Sequence, residues 1–261
     1  MYSTVEVDCG GGVATVSLNR PPVRNAFNQA MIAELTDIFG RLGGDEDVRA
    51  VVLRGQGRSF SAGADASWMQ ASLDFSLEDN IQDARRMAEM FATMNALPQP
   101  LIGRVHHAAL GGGMGLIAVC DIVVAADDAI FGFTEARLGI IPSVISSFVL
   151  PKVGESWARA TFLTAERFGA ELAMRMGLVH HIAAPDDLDA VVAAKVDDVL
   201  HSGPNAVREA KRLIRDVLAA PPHDRLSITS ERIAAVRAAD EGQEGLRAFL
   251  EKRSPDWERS D

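Results

Sequence analysis

Three stretches of the sequence combine residue types that can do chemistry. Glu135 stands within Phe131-Gly132-Phe133-Thr134-Glu135-Ala136-Arg137-Leu138-Gly139-Ile140-Ile141-Pro142, with Phe131, Phe133, Leu138 and Ile140 close by in sequence. A carboxyl group among such neighbours is partly desolvated, which raises its pKa and suits it to proton transfer. A salt bridge to Arg137 or an ordinary loop acid is the alternative. Ser59-Phe60-Ser61-Ala62-Gly63-Ala64-Asp65 is built almost wholly of small residues. Such residues let a ligand come close enough to the main chain for N–H groups to donate to it, although a surface turn has the same composition. Leu110-Gly111-Gly112-Gly113-Met114-Gly115-Leu116 sets glycines just ahead of an apolar helical stretch. A free N–H there lies near the positive end of a helix dipole, where developing negative charge is favoured. Tight helix–sheet packing would ask for the same glycines.

A different chemistry competes for the last stretch. Gly113-Met114-Gly115-Leu116-Ile117-Ala118 fits the dinucleotide fingerprint G-x-G-x-x-G/A, with Asp127 or Asp128 after the next strand. Five residues, His106 to Leu110, separate the preceding strand from the glycines, and the flanking strand–helix repeats are missing. Both features speak against a nicotinamide or flavin site.

The elements that must position these groups follow from periodicity. Residues 4–8 and 13–18 flank Gly10-Gly11-Gly12 and read as a hairpin. Met31, Ile32, Leu35, Ile38, Phe39 and Leu42 form a helical stripe that starts at an Asn28 cap. Ala50–Leu53 is a short buried strand, 77–97 a helix closed by Pro98 and Pro100, 101–105 a strand, 112–120 a short helix, and 122–125 a strand. This alternation indicates an α/β architecture. Beyond Pro142 the pattern is almost entirely helical, with helices expected at 155–163, 170–176, 188–201, 205–218, 226–239 and 243–252. A boundary falls near residue 200, giving a core over 1–200 and a helical region over 201–261.

Composition narrows the function classes. A formal net charge of −10 argues against general affinity for nucleic acid, but not against a small polyanion held by a few local bases. The best apolar run, Leu116 to Ala126, is interrupted by Asp121 and is shorter than the roughly 20 residues a membrane span requires. Residues 1–8 carry acids and no apolar core, unlike a secretory signal. The two cysteines, Cys9 and Cys120, have no metal-like spacing and are expected to be reduced thiols, so a cytoplasmic location is the default expectation.

Taken together, these segments resemble the enoyl-CoA hydratase/isomerase (crotonase) family over nearly the whole chain. The resemblance is carried by Leu18-Asn19-Arg20-Pro21, Arg24-Asn25-Ala26-Phe27-Asn28, Ser61-Ala62-Gly63-Ala64-Asp65, Gly111-Gly112-Gly113, Cys120-Asp121-Ile122, the Glu135–Pro142 stretch and the tail Phe249-Leu250-Glu251-Lys252-Arg253. It implies a spiral of β-β-α turns followed by a helical C-terminal region that builds trimers, often paired into hexamers. It implies that the amides of Ala64 and Gly112 hold a thioester oxygen, with Glu135 as the acid–base group. It implies that the Arg24–Ala26 turn and the Ala62–Ala66 segment, Asp65 included, bind the adenine and pantetheine parts of coenzyme A. Gly111, Ile141, Ser143, Phe249 and Lys252 fall among the substrate-binding positions, and Arg24, Lys252 and Arg253 are the counter-charges for the phosphates. The partner is then an acyl-CoA, with no metal and no cofactor beyond the coenzyme A of the substrate.

Two departures from the family pattern matter. Where two-glutamate hydratases carry a second carboxylate, three residues after the oxyanion glycine, this chain has Gly115. One carboxylate suits isomerisation, whereas hydration also needs a group to orient water. His106 and His107 are nearby but read as structural. The second departure is Pro142-Ser143-Val144-Ile145-Ser146-Ser147 in place of a glycine-rich stretch. Val144 and Ile145 would narrow an acyl pocket, and Ser143 and Ser146 could bond a polar acyl group. These features resemble the bacterial branch assigned to methylglutaconyl-CoA and carboxygeranoyl-CoA hydration, in leucine and acyclic-terpene breakdown. Three functions stay open: a hydratase, a Δ3-Δ2 enoyl-CoA isomerase, and a coenzyme-A-binding protein without chemistry of its own.

Overall fold

The computed structural model describes residues 2–258; Met1 and residues 259–261, the end of the expected C-terminal region, lie outside it. Strands β1 (Val5–Gly10), β2 (Val13–Leu18), β3 (Ala50–Gly55), β4 (Leu101–Val105), β6 (Ile122–Ala126) and β9 (His181–Ala183) form one sheet in the order β1-β2-β3-β4-β6-β9. The β1–β2 hairpin is antiparallel and every other pair in this sheet is parallel. A second, smaller sheet has β7 (Ile130–Gly132) between β5 (Ala108–Leu110) and β8 (Phe168–Gly169).

The chain winds between the two sheets. Strand β4 passes directly to β5 and then to helix α4 (Gly112–Val119); β6 passes to β7 and, through a 3-10 turn at Glu135–Leu138, to α5 (Ser143–Thr164). Each pass is a β-β-α turn, the spiral that the family resemblance implied. The pass that starts with β3 has an abbreviated second strand, a single bridge from Ser61 to Ala109 of β5, before α2 (Ala66–Ser72). Parallel neighbours in the main sheet, covered on a face by helices, explain why Val51, Leu53, Ile102, Val123 and Val124 are all buried.

Helices α1 (Gln29–Gly43) and α3 (Leu77–Asn95) pack against each other and supply much of the core. Asn28 caps α1 by accepting the Met31 N–H, and Ser76 and Asp79 form a reciprocal capping box on α3. The buried stripe of α1, from Met31 to Leu42, consists of the six apolar residues expected. α6 (Ala170–Arg175) and α7 (Leu188–Leu200) follow, and α8 (Pro204–Ala219), α9 (Arg225–Ala238) and α10 (Asp240–Glu251) pack on one another. Arg49 ties this last group to the core by donating to the carbonyls of Leu200, Ser202 and Trp257.

Three differences from the sequence expectation have physical causes. Helix α5 begins at Ser143 and not near 155: Ile145, Val149 and Val153 form a buried helical stripe, but Pro151 and the kink at Gly154 (φ 69°, ψ 168°) are helix breakers that separate it from the second half. The strands β5, β7, β8 and β9 span two or three residues each and leave no alternation to read. The segment beyond Pro142 is therefore not wholly helical. Helix α2 is a short, polar-faced helix with no buried residue, so it has no apolar stripe. Cys9 is exposed, Cys120 is buried, and both are free thiols.

Candidate active site

The site is assembled where the abbreviated strand meets the second sheet. Ser61 donates its N–H to Ala108 O at 3.0 Å, and Leu110 donates to Ser61 O at 3.1 Å, so the turn after β3 lies alongside the turn after β5. The other edge of the Ser61 turn is held by the segment ahead of α1. Ala62 N–H donates to Arg24 O, Phe27 N–H to Gly63 O, and Asp65 N–H to Phe27 O, at 2.9, 2.7 and 2.9 Å. Asn25, fully buried, locks that segment: it accepts the Arg20 N–H and donates to the carbonyls of Gln56 and Ser59.

Only glycine fits where the two turns touch. Gly63 has φ 91°, and a Cβ on it would stand 2.8 Å from Leu110 O and 3.5 Å from Gly112 N. Gly111 has φ 51° and ψ −120°, and its missing Cβ would stand 3.5 Å from Glu135 Oε1 and 3.8 Å from Gly63 Cα. A single methyl group on Gly111 would therefore touch both the Glu135 carboxyl and the Gly63 turn.

The amides of these turns divide into two sets. Ala62, Asp65 and Gly111 donate to carbonyls, and Gly63 donates to Ser61 Oγ at 3.4 Å. Ala64 and Gly112 donate to nothing among the described residues. Gly112 is the first residue of α4, where the helix leaves its N–H without an internal acceptor. Gly113, next along, is equally unpaired but is buried against Ser61 and does not line the cavity. Ala64 and Gly112 both line the same cavity of about 430 Å³, together with Glu135.

Glu135 opens its 3-10 turn after β7. Burial raises its pKa, partly offset by its own backbone N–H, and its Oε2 is buried without a hydrogen-bond partner. Arg137 is exposed and makes no ion pair with it, so the salt-bridge alternative falls. The cavity is completed by Phe27, by Trp68 and Met69 of α2, by Asn80, Asp83, Ala84 and Met87 on one face of α3, by Thr134, and by Leu138, Ile140, Ile141, Ser143, Val144 and Ile145. Val144 and Ile145 do wall the cavity, as their size suggested.

Gly115 gives a different result from the one its small side chain invites. A Cβ there would meet Ile145 Cγ2 at 2.5 Å and Phe91 Cζ at 2.6 Å. The space that a second carboxylate would need is filled by Phe91 and Ile145.

Several other expected residues stand apart from the cavity. Ala62, Gly111, Ile141 and Ser143 line it; Arg24, Ala26, Asp65, Ala66, Phe249 and Lys252 do not. Arg24 is exposed on its turn and Ala26 is buried beneath it. The Asp65 carboxylate is buried: it caps α2 through the Ser67 N–H, accepts the Ser67 hydroxyl, and pairs with Arg20 at 2.7 Å. Ser67 foremost, then Arg20, hold it down at a pKa of about 2. Phe249 and Lys252 sit at the end of α10, with Phe249 81% exposed. Arg253 is not a spare counter-charge, since Glu244 and Glu251 grip it at 2.5 and 2.7 Å. Ser146 gives its hydroxyl proton to Ser143 O and is not on the cavity wall. His106 bonds Gly57 O and Arg104 and is a structural residue, like His107 off the cavity. Sequence reasoning missed Trp68, Asn80, Asp83, Ala84, Met87 and Thr134. The 80/83/84/87 spacing on α3, continuing the buried Met90, Phe91 and Met94, was a legible signal for most of them.

No group of three or more His, Cys, Asp and Glu residues among the described residues is arranged to hold a metal. No helix there is long and apolar enough to cross a membrane.

Comparison with known proteins places the chain in a family. The profile of the enoyl-CoA hydratase/isomerase family matches residues 8–260. A short-chain-enoyl-CoA hydratase of Clostridium acetobutylicum is 32% identical over 93% of both chains. A 2,3-dehydroadipyl-CoA hydratase of Escherichia coli is 33% identical over 94% of both. The crystal structure of an enoyl-CoA hydratase from Shewanella pealeana superposes with a TM-score of 0.94 at 38% identity, covering 98% of this chain and 96% of the other.

Proposed function

The chain belongs to the enoyl-CoA hydratase/isomerase family, and on that premise we propose that it adds water across the double bond of a short or branched 2-enoyl-CoA. One observation carries the proposal: the two unpaired amides, Ala64 and Gly112, border the same cavity as a desolvated Glu135 carboxyl.

In this reading the thioester oxygen accepts from both amides. As a hydroxyl group bonds to C3, the electron pair of the double bond moves onto the thioester and the oxygen becomes anionic. Two fixed donors stabilise that charge without reorganising, and each is worth roughly 3–4 kcal/mol. Glu135 takes the proton released by the attacking water and returns it to C2, so a 3-hydroxyacyl-CoA forms and the carboxylate is regenerated. A carboxylate whose pKa is raised by burial is a stronger base than an exposed one and still returns its proton readily. The hydroxyls of Thr134 and Ser143 also border the cavity and can hold the water in place of the carboxylate that Gly115 lacks.

The narrower acyl-chain reading, a branched chain like that of methylglutaconyl-CoA, draws support from the Val144–Ile145 wall and from Ser143. The carboxylate of that particular acyl group finds no basic side chain in the cavity. An isomerase is the second reading, favoured by the filled space at Gly115, because a single carboxylate can carry a proton between C4 and C2. We further propose a homo-oligomer, trimer or hexamer, working in the cytoplasm. Leu218, Leu226, Phe249 and Leu250 of the C-terminal helices, all at least 74% exposed, are apolar surface of the kind that subunit contacts cover.

The test is incubation with crotonyl-CoA, methylglutaconyl-CoA and a 3-enoyl-CoA, following enoyl absorbance and conjugated product. Hydration that Glu135→Gln abolishes is the expected result. Turnover of the 3-enoyl thioester alone decides for the isomerase. Binding of acyl-CoA with no turnover of any substrate leaves only a binding protein.

A further inference from the structure

The face of α3 that meets the cavity changes character along its length. Met87, Met90, Phe91 and Met94 continue one stripe, of which the last three are fully buried. One and two turns earlier, at the same helical spacing, stand Asp83 and Asn80, and both line the cavity. The stripe thus turns polar where it reaches the cavity and brings one acid, Asp83, to its wall.

The charge of the cavity wall is negative throughout. Asp83 and Glu135 are the only ionisable residues on the cavity wall, and no Lys, Arg or His borders it among the described residues. The nearest candidates in sequence, Arg86 one turn along α3 and Arg137 beside Glu135, are exposed and off the wall. Asp83 has only a long contact of 3.4 Å from Gln29 Nε2, so no cation neutralises it. A carboxylate brought into this half-enclosed space would lose water, gain no cation and meet like charge.

We propose that the acyl chamber selects uncharged 2-enoyl chains and that Asp83 is a specificity-determining residue disfavouring chains that end in a carboxylate. The inference rests on the enoyl-CoA hydratase reading and narrows its substrate class, setting methylglutaconyl-like acids aside.

Two thioesters of equal carbon count test it: trans-2-pentenoyl-CoA and trans-glutaconyl-CoA. The wild type is expected to show kcat/KM at least about tenfold higher for the pentenoyl substrate, which corresponds to ~1.4 kcal/mol. Asp83→Asn is expected to bring the ratio close to unity, and Asp83→Lys to favour glutaconyl-CoA. Should Asp83→Lys fail to fold, Asp83→Asn decides alone. A wild type that prefers glutaconyl-CoA, or a ratio that Asp83→Asn does not move, overturns the proposal. If neither thioester is hydrated, the hydratase reading fails separately. Selectivity is then read from equilibrium binding of valeryl-CoA and glutaryl-CoA, where equal affinities refute the role of Asp83 and a tenfold preference for valeryl-CoA sustains it.

Discussion

Replacing Gly115 should be destabilising out of proportion to the size of the change. A Cβ at this position would stand 2.5 Å from Ile145 Cγ2 and 2.6 and 2.8 Å from Phe91 Cζ and Cε1. Non-bonded carbons prefer roughly 3.5–4.0 Å, so the overlap is about 1 Å on two sides. Neither neighbour yields easily. Phe91 is fully buried and in contact with Phe27 at 6.1 Å and Phe148 at 6.0 Å between ring centroids, while Ile145 is 3% exposed on α5. Overpacking of this kind costs about 1–3 kcal/mol. We expect Gly115→Ala to lose ~2 kcal/mol in denaturant unfolding at fixed protein concentration. In an Ile145→Ala background, which removes one of the two clashes, the cost should fall by about 1 kcal/mol, a coupling that a double-mutant cycle reads directly. Gly115→Glu should cost more, because it adds an unpaired buried carboxylate, and it should not accelerate hydration. A Gly115→Ala protein as stable as wild type, or a folded Gly115→Glu enzyme that hydrates faster, would refute the packing argument.

Other perturbations probe the rest of the site. Because burial raises the pKa of Glu135, kcat/KM for hydration should fall as pH drops through a value above the ordinary carboxylate range, and Glu135→Gln should lack this limb. The stability sign is the opposite of an ion pair's. Ionised Glu135 disfavours the folded state above its raised pKa, so Glu135→Gln should be relatively more stable at pH 7, with the difference vanishing below about 4.5. Gly63→Ala forces a side chain to φ 91° and within 2.8 Å of Leu110 O, so it should shift the Ala64 amide and lower kcat by about 10²–10³, the effect of losing one donor. Asp65→Asn keeps an oxygen to cap α2 but loses the charge that pairs with Arg20 and strengthens the Ser67 bonds, and should destabilise by about 1–2 kcal/mol. The Asp65 pKa is depressed, so this penalty should be fully present above the ordinary value of 3.8 and should shrink as pH falls towards about 2, measured by unfolding across that range.

Much of the cavity lining was legible because two of its walls are glycine-rich turns. Amides need small residues and special φ values to come close to a ligand, and Gly63 and Gly111–Gly113 announce that in the sequence. Glu135 announces itself through the apolar residues around it. An α/β architecture was legible from the five long strands, Val5–Gly10, Val13–Leu18, Ala50–Gly55, Leu101–Val105 and Ile122–Ala126, while the spiral was implied by the family resemblance. The second sheet was not, since strands of two or three residues carry no period, and the bridge that aligns the two turns involves only Ser61 and Ala109. Asp65 misled for a related reason. A conspicuous acid beside a ligand turn reads as functional, yet only coordinates reveal that its oxygens are consumed by Ser67 and Arg20. The sequence shows that Gly115 replaces a second carboxylate, but not that Phe91 and Ile145 fill the space there.

The most direct measurement is a crystal structure of the Glu135→Gln protein with crotonyl-CoA bound. The thioester oxygen should lie about 2.7–3.1 Å from both the Ala64 and the Gly112 nitrogen, with the substituted side chain at position 135 facing C2. An acyl group whose oxygen engages neither amide, or a coenzyme A bound in another cavity, would contradict the account.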